Sequence, residues 1–233
     1  MLPMISWKCQ GWRELGGWLL GLMVVAALGQ NVARLITPEL VAQAQKMYGE
    51  STVSRLQQWG AVVVESQQAQ ERNKLSKINQ YFNDQLAFVS DQGHWQKEDY
   101  WATPLESIGT QGGDCEDYVI AKYFSLIQAG VDQKKLRITY VKALKLNQAH
   151  MVLAYYKEPN SDPLILDNLT DRILPASKRR DLSPVYSFNG MGMWLERMKG
   201  GSIRVGDPNR LNMWVDLLLR MKELHMESWL NIP

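Results

Sequence analysis

Thiols and imidazoles are scarce in this chain, with two cysteines and three histidines among 233 residues. So few thiols exclude a disulfide framework as the source of stability, so the fold must rest on a buried core. A long apolar run is also missing. The longest, Leu15 to Leu28, falls short of the roughly 20 residues a membrane-spanning helix needs. Charge of one sign is lacking too, since 26 Lys and Arg face 24 Asp and Glu for a formal net charge of +2. The basic run Lys178-Arg179-Arg180 is short and bordered by Asp181, which reads as a solvated loop and excludes a nucleic-acid partner. No internal repeat or low-complexity tract is present. Length and composition describe one globular domain with a helical appendage.

Lys8 and Arg13 precede the N-terminal apolar run, and Ala27-Leu28-Gly29 places small residues at the two positions a signal peptidase reads. Residues 1–29 are expected to be an export signal, with a retained membrane anchor as the alternative. Cys9 lies ahead of the run and does not look like a lipid attachment site. Removal of the segment would leave Cys115 as the single cysteine. A lone thiol in an oxidising compartment points to a nucleophile more than to a packing residue.

Cys115 lies in the block Gly112-Gly113-Asp114-Cys115-Glu116-Asp117. Behind it Val119, Ile120, Tyr123, Phe124 and Ile127 recur at helical steps, and Gly130 stops the pattern, so a helix with one buried face is expected. Unpaired amides and the dipole at its start favour a thiolate, whereas Asp114, Glu116 and Asp117 oppose it and call for an imidazolium or a bound cation.

Ahead of this block, Thr37-Pro38-Glu39 reads as a cap and first turn of a helix to about Tyr48. A second helical segment is expected from about Ser51 to Asp84, with Val53, Leu56, Val63, Leu75, Ile78 and Phe82 inward and a possible break in the polar stretch 66–73. Residues 88–113 read as loop. There Trp95 and Trp101 either wall a groove or pack the loop, and His94 is expected at the surface. After the helix, Leu136 to Leu144 and Ala149 to Tyr156 read as strands around a turn at Asn147-Gln148, and Leu164 to Leu166 starts a third. A helix followed by an antiparallel meander is an α+β arrangement, the helix lying on one face of the sheet. Pro184 to Trp194 reads as an edge strand with a turn at Asn189-Gly190. Asp207-Pro208 opens a final helix with Leu211, Trp214, Val215, Leu218 and Met221 inward, and His225 near its end is a favourable cation without a site role.

His150 begins the second strand and Asp167 follows the third, so antiparallel pairing can bring them to one sheet edge. With Cys115 they are the parts of a Cys-His-Asp triad, His150 as base and Asp167 as orienting acid. The Cys115 amide is the natural first oxyanion donor. The alternative is a satisfied strand histidine and a turn aspartate.

Trp101 to Glu106 (WATPLE), Gly112 to Tyr118 (GGDCEDY), Ala149 to Leu153 (AHMVL) and Leu166-Asp167-Asn168 resemble the bacterial transglutaminase-like cysteine proteinases, over about Lys74 to Glu196. The resemblance implies a papain/transglutaminase-like core, with nucleophile Cys115, general base His150 and orienting acid Asp167. Residues 30–87 would form an N-terminal helical segment and 88–233 the protease core with its C-terminal helix. It implies dependence on Ca2+ held by acidic residues around the nucleophile: Asp114, Glu116 and Asp117. Oxygen ligands suit that hard cation, although a helix start also favours acidic residues without any metal, and Glu116 is expected to point away from the shared face of Asp114 and Asp117 unless the helix starts after it. By the same resemblance the protein is periplasmic, cleaves the N-terminal region of a large surface adhesin at a small-residue site, promotes biofilm dispersal, and is inhibited by an inner-membrane cyclic-di-GMP receptor. Two rivals remain: a cross-linking transglutaminase using the same triad, and a noncatalytic calcium-regulated binding module.

Overall fold

The computed structural model describes residues 29–196 and 202–230. Apart from Gly29 the expected export signal lies outside them, and residues 29–35 are helical. No helix among the described residues is long and apolar enough to cross a membrane.

Helix α1 (Pro38–Tyr48) starts as expected, with Thr37 accepting from the Leu40 amide at 3.3 Å. The expected long second helix is two, α2 (Ser51–Gln67) and α3 (Glu71–Gln85), broken within the polar stretch. Leu56, Val63, Leu75, Ile78 and Phe82 are buried, while Val53 is half-exposed and its neighbour Thr52 turns inward. Residues 88–113, expected as loop, carry regular structure. Strand β1 (Ala87–Phe88) pairs in parallel with β2 (Gly112–Gly113), and between them lie the short helices α4 (Asp91–His94) and α5 (Pro104–Thr110). Helix α5 opens on a reciprocal cap: Thr103 Oγ1 accepts from the Glu106 amide at 3.2 Å, and Glu106 Oε2 accepts from the Thr103 amide at 2.6 Å. The Thr-x-x-Glu spacing that makes this cap is present in the sequence, among glycines and aromatics that suggest a loop.

Helix α6 (Cys115–Gln128) is covered on every side rather than on one face, with Lys122, Ser125 and Gln128 buried beside the apolar residues. Strands cover one side of it and α2, α3 and α5 pack against the rest. Its far end is fixed by Lys74, whose ammonium donates to the Ala129 carbonyl at 2.6 Å, a cation at the negative end of the helix.

The strands are β3 (Leu136–Ala143), β4 (Gln148–Tyr155), β5 (Leu164–Leu166), β6 (Leu174–Pro175), β7 (Leu182–Asn189), β8 (Gly192–Glu196) and β9 (Ser202–Gly206). They form one seven-stranded sheet in the order β6-β5-β4-β3-β7-β8-β9, each pair antiparallel. The β3-β4-β5 meander is as expected, and Asn147 takes a left-handed conformation (φ 51°) in its first turn. Residues 184–194 are not an edge strand. Strand β7 returns to the open side of β3, and β8 folds back on β7 as a hairpin. Burial of Phe188 explains the inner position, since its ring stacks on Trp101 at 5.6 Å.

At the C-terminal end Asp207 caps a single 3-10 turn, and helix α7 (Asn212–Glu223) follows it. Trp214 and Met221 are buried as expected. Leu217 is buried too, and Val215 and Leu218 are half-buried. His225 is exposed in a left-handed conformation (φ 58°) between α7 and α8 (Glu227–Leu230). From α8, Trp229 stacks on Trp59 at 3.7 Å and its Nε1 donates to the Leu35 carbonyl at 2.9 Å, so the two ends of the described chain meet. Arg220 on α7 donates to Glu106 Oε2 at 2.6 Å and to the Trp101 carbonyl at 2.5 Å, clamping the segment that leads to α6. Side chains from α1 to α3, α6, the sheet and the last two helices share one buried cluster.

Candidate active site

Cys115 is the first residue of α6, separated from the Gly112-Gly113 strand only by Asp114. Gly113 has to be glycine, because a Cβ there would lie 2.6 Å from Asp117 Oδ2 and 2.7 Å from Asp117 Cβ. Asp117 is completely buried and ties down the approach to the helix, accepting from the Ala102 amide at 2.7 Å and from the Asp114 amide at 3.2 Å. Cys115 itself is half-buried, with its sulfur facing the Met151 amide of β4. The start of α6 therefore abuts the strand position next to His150.

His150 and Asp167 meet as the antiparallel reading anticipates. His150 Nε2 is 2.8 Å from Asp167 Oδ1, and the two side chains are 3% and 0% exposed. With Nε2 engaged by the carboxylate, Nδ1 is the ring nitrogen left for a thiol proton. Asp167 Oδ1 also accepts from the Leu169 amide at 3.0 Å, and Oδ2 accepts from Arg179 Nη2 at 2.7 Å. Burial alone would raise the Asp167 pKa. The hydrogen bond and charge of His150, the Leu169 amide and Arg179 overcome that and hold it at about 2.

Two cations near Asp167 escape the sequence reading. Arg179 belongs to the run expected as a solvated loop, yet it is buried and held by Asp181, while Lys178 and Arg180 are exposed. Lys122, fully buried on α6, donates to Asn83 Oδ1 at 2.7 Å and to the Asp167 carbonyl at 3.2 Å. Burial pulls its pKa down to about 7 against the opposing pull of Asp167 and Asp171. Neither periodicity nor motif marks them, and only the charge of Lys122 on an apolar helix is a signal.

The acidic residues converge beside Cys115. Asp114 is the extended N-cap of α6 (φ −109°, ψ −159°), outside the helix proper, so the face rule that set Glu116 apart does not apply. Asp114, Cys115 and Glu116 bring ligand atoms within 4.8 Å of one another, and so do Asp91, Asp114 and Asp117, and Asp91, Asp99 and Glu116. Asp91 and Asp99 come from the stretch expected as loop and escaped the sequence reading. Of the aromatics there, Trp101 is buried packing, and His94 is half-buried instead of at the surface, its Nε2 2.9 Å from Thr110 Oγ1.

Crowding shows in the electrostatics. Burial first and mutual repulsion next raise Asp91 to about 6 and Glu116 to about 9, and lift Asp114 and Asp117 as well. The thiol donates to Glu116 Oε2 at 3.0 Å, and burial, then Glu116, then Asp114 push its pKa up against the Met151 amide. Burial and the carboxylates together thus outweigh the Met151 amide. Asp91 Oδ1 and Asp114 Oδ1 are buried without a hydrogen-bond partner among the described residues. Unpaired anionic oxygens are costly, and an all-oxygen donor set of this kind fits a hard divalent cation such as Ca2+.

The family model of the bacterial transglutaminase-like cysteine proteinases matches residues 48–181. Among solved structures, EGTA-treated LapG of Legionella pneumophila is similar at 43% identity and a TM-score of 0.69, covering 78% of this chain and 95% of that one. Its calcium-bound form is 44% identical with a TM-score of 0.66, covering 78% and 98%. No curated protein matches. The mixed helix and antiparallel sheet architecture is that of these relatives. The matched segment takes in the thiol, the imidazole, the carboxylate and the acidic cluster, and this chain belongs to the bacterial transglutaminase-like cysteine proteinase family.

Proposed function

We propose that this protein is a calcium-dependent cysteine endopeptidase, exported to the periplasm, that cuts the N-terminal region of a large surface adhesin at a small-residue site and so promotes biofilm dispersal. The observation that carries the catalytic part is the buried 2.8 Å contact of His150 with Asp167, one residue from the Met151 amide that faces the Cys115 sulfur. His150 Nδ1 takes the thiol proton, and the sulfur attacks the scissile carbonyl carbon. Charge on the carbonyl oxygen falls to the Cys115 amide at the helix start. Collapse breaks the C–N bond, the imidazolium protonates the departing amine, and a thioester remains. His150 then takes a proton from water, whose oxygen attacks the thioester and releases the carboxylic acid and the thiol. Asp167 keeps the ring oriented and its charged form favourable throughout.

Asp91, Asp99, Asp114, Glu116 and Asp117 are the residues that would hold Ca2+. When bound, the ion supplies positive charge beside the thiol and offsets the carboxylates that oppose a thiolate. The adhesin substrate, and inhibition by an inner-membrane cyclic-di-GMP receptor, are supported by the family resemblance alone.

Incubation of the purified chain with adhesin N-terminal fragments, with added calcium or with EGTA, tests this reading. Discrete fragments in calcium and none in EGTA are expected. No cleavage in either condition, together with incorporation of a labelled amine into glutamine peptides and release of ammonia, would replace it with a cross-linking transglutaminase.

A further inference from the structure

The buried member of the basic run is singled out by its partners. A single 3-10 turn at Ala176–Lys178 delivers Arg179 inward, where it is 6% exposed, while its neighbours stay in solvent. Burying a guanidinium is costly unless its donors are paired, and here Nε and Nη2 are paired while the buried Nη1 meets no partner among the described residues. Asp181 grips one side, with Nε at 3.1 Å from Oδ1 and Nη2 at 2.8 Å from Oδ2. The same Nη2 reaches across to Asp167 Oδ2 at 2.7 Å.

Asp167 is consequently held from both ends of its carboxylate. One oxygen meets the imidazole and the Leu169 amide, and the other meets only a buried, bracketed cation among the described residues. A carboxylate fixed at one oxygen can rotate about its last side-chain torsion, a soft, roughly two-fold coordinate. Fixing the second oxygen removes that freedom. The direction of the His150 hydrogen bond, and with it the ring plane and tautomer, then follow from the position of the guanidinium.

We infer that Arg179 is a positioning residue for the reaction proposed above: anchored by Asp181, it pins Oδ2 of Asp167 so that Oδ1 accepts the hydrogen bond from His150 Nε2 and the ring presents Nδ1 to the nucleophile. Arg179 acts on the ring through Asp167, which it meets at Oδ2. The inference rests on the peptidase reading for its consequence in catalysis, but its effect on the His150 ring stands apart from any substrate.

The test uses the full chain with calcium and two readouts. Histidine-selective 15N NMR, with the His150 signals assigned by comparison with His150→Gln, reports the tautomer directly. Where the wild-type ring is neutral, its signals should be those of the Nε2–H tautomer. In Arg179→Gln the two ring nitrogens move toward averaged shifts as both tautomers are populated. On an adhesin fragment that the wild type cleaves, Arg179→Gln should lower kcat about ten- to a hundredfold with KM within about twofold, the pattern of a misaimed base. Arg179→Lys restores one contact without the fork and should recover part of kcat. Should Arg179→Gln fail to fold, Asp181→Asn, which keeps the cation and loosens its bracket, should show the same change in smaller measure. A folded Arg179→Gln with wild-type ring shifts and kcat overturns the inference, as does Asp181→Asn with wild-type values where it alone folds. If the wild type cleaves nothing, the peptidase reading fails, and the ring shifts still decide the role of Arg179.

Discussion

Lys122 Nζ donates to the backbone carbonyl of Asp167 across 3.2 Å, and the same carbonyl accepts from Asn83 Nδ2 at 3.0 Å. The helix that carries the thiol at its first turn therefore also holds the backbone of Asp167, the residue bonded to His150. An ammonium is buried there even though burial pulls its pKa down to about 7.

Substitution of Lys122 by Met should act on stability in a pH-dependent way. The folded pKa lies below the ordinary lysine value. The folded state therefore disfavours the ammonium, fully below about pH 7 and progressively less as pH rises toward about 10.4, where the unfolded chain also loses its proton. Met carries no such burden. Urea unfolding of Lys122→Met and wild type at pH 6 and pH 9.5 should show the substitution less harmful, or more favourable, at pH 6. An equal difference at both pH values would contradict the buried charge.

Gly113→Ala should be damaging out of proportion to one methyl group. The new Cβ would come within 2.6 to 2.7 Å of Asp117, which is buried and bonded to two backbone amides. Relief requires moving Asp117 or the strand ahead of Cys115, and overpacking of this kind costs about 1 to 3 kcal/mol. A lower melting temperature together with loss of peptidase activity is expected. Wild-type values of both would show that the turn has slack.

Calcium should stabilise the protein more at pH 8 than at pH 5. Asp91 and Glu116 have raised folded pKa values, about 6 and about 9, so without metal the fold holds protons that the unfolded chain has lost. The stability from those protons is complete below pH 4 and falls away as pH rises through 6 and then 9. A bound cation takes their place. Thermal melts in calcium and in EGTA should differ by a larger shift at pH 8, and Asp91→Asn and Asp114→Asn should each shrink it. Equal shifts at both pH values would contradict the assignment of these carboxylates as ligands.

Much of this site was legible because its parts sit at positions with local signatures. Two glycines before a helix start locate Cys115, and strand alternation with a turn at Asn147 brings His150 and Asp167 to one edge. Contacts set by tertiary packing left no such trace. The burial of Lys122 and Arg179, the inner position of β7, and the arrival of Asp91 and Asp99 beside Asp114 all depend on segments far apart in sequence. The α5 cap is a different case: Thr103 and Glu106 stand in sequence at the required spacing, and only the surrounding glycines and tryptophans argue for loop. Likewise, the face rule applied to Glu116 assumed that Asp114 is helical, whereas it is an extended cap.

In the proposed reaction the Cys115 sulfur is the atom that attacks the peptide bond. Cys115→Ala removes that atom and little else, so the variant should keep the wild-type fold by circular dichroism. Incubated in calcium with a fragment the wild type cuts, it should leave the fragment whole. Cleavage by the folded variant at the same bond would contradict the account.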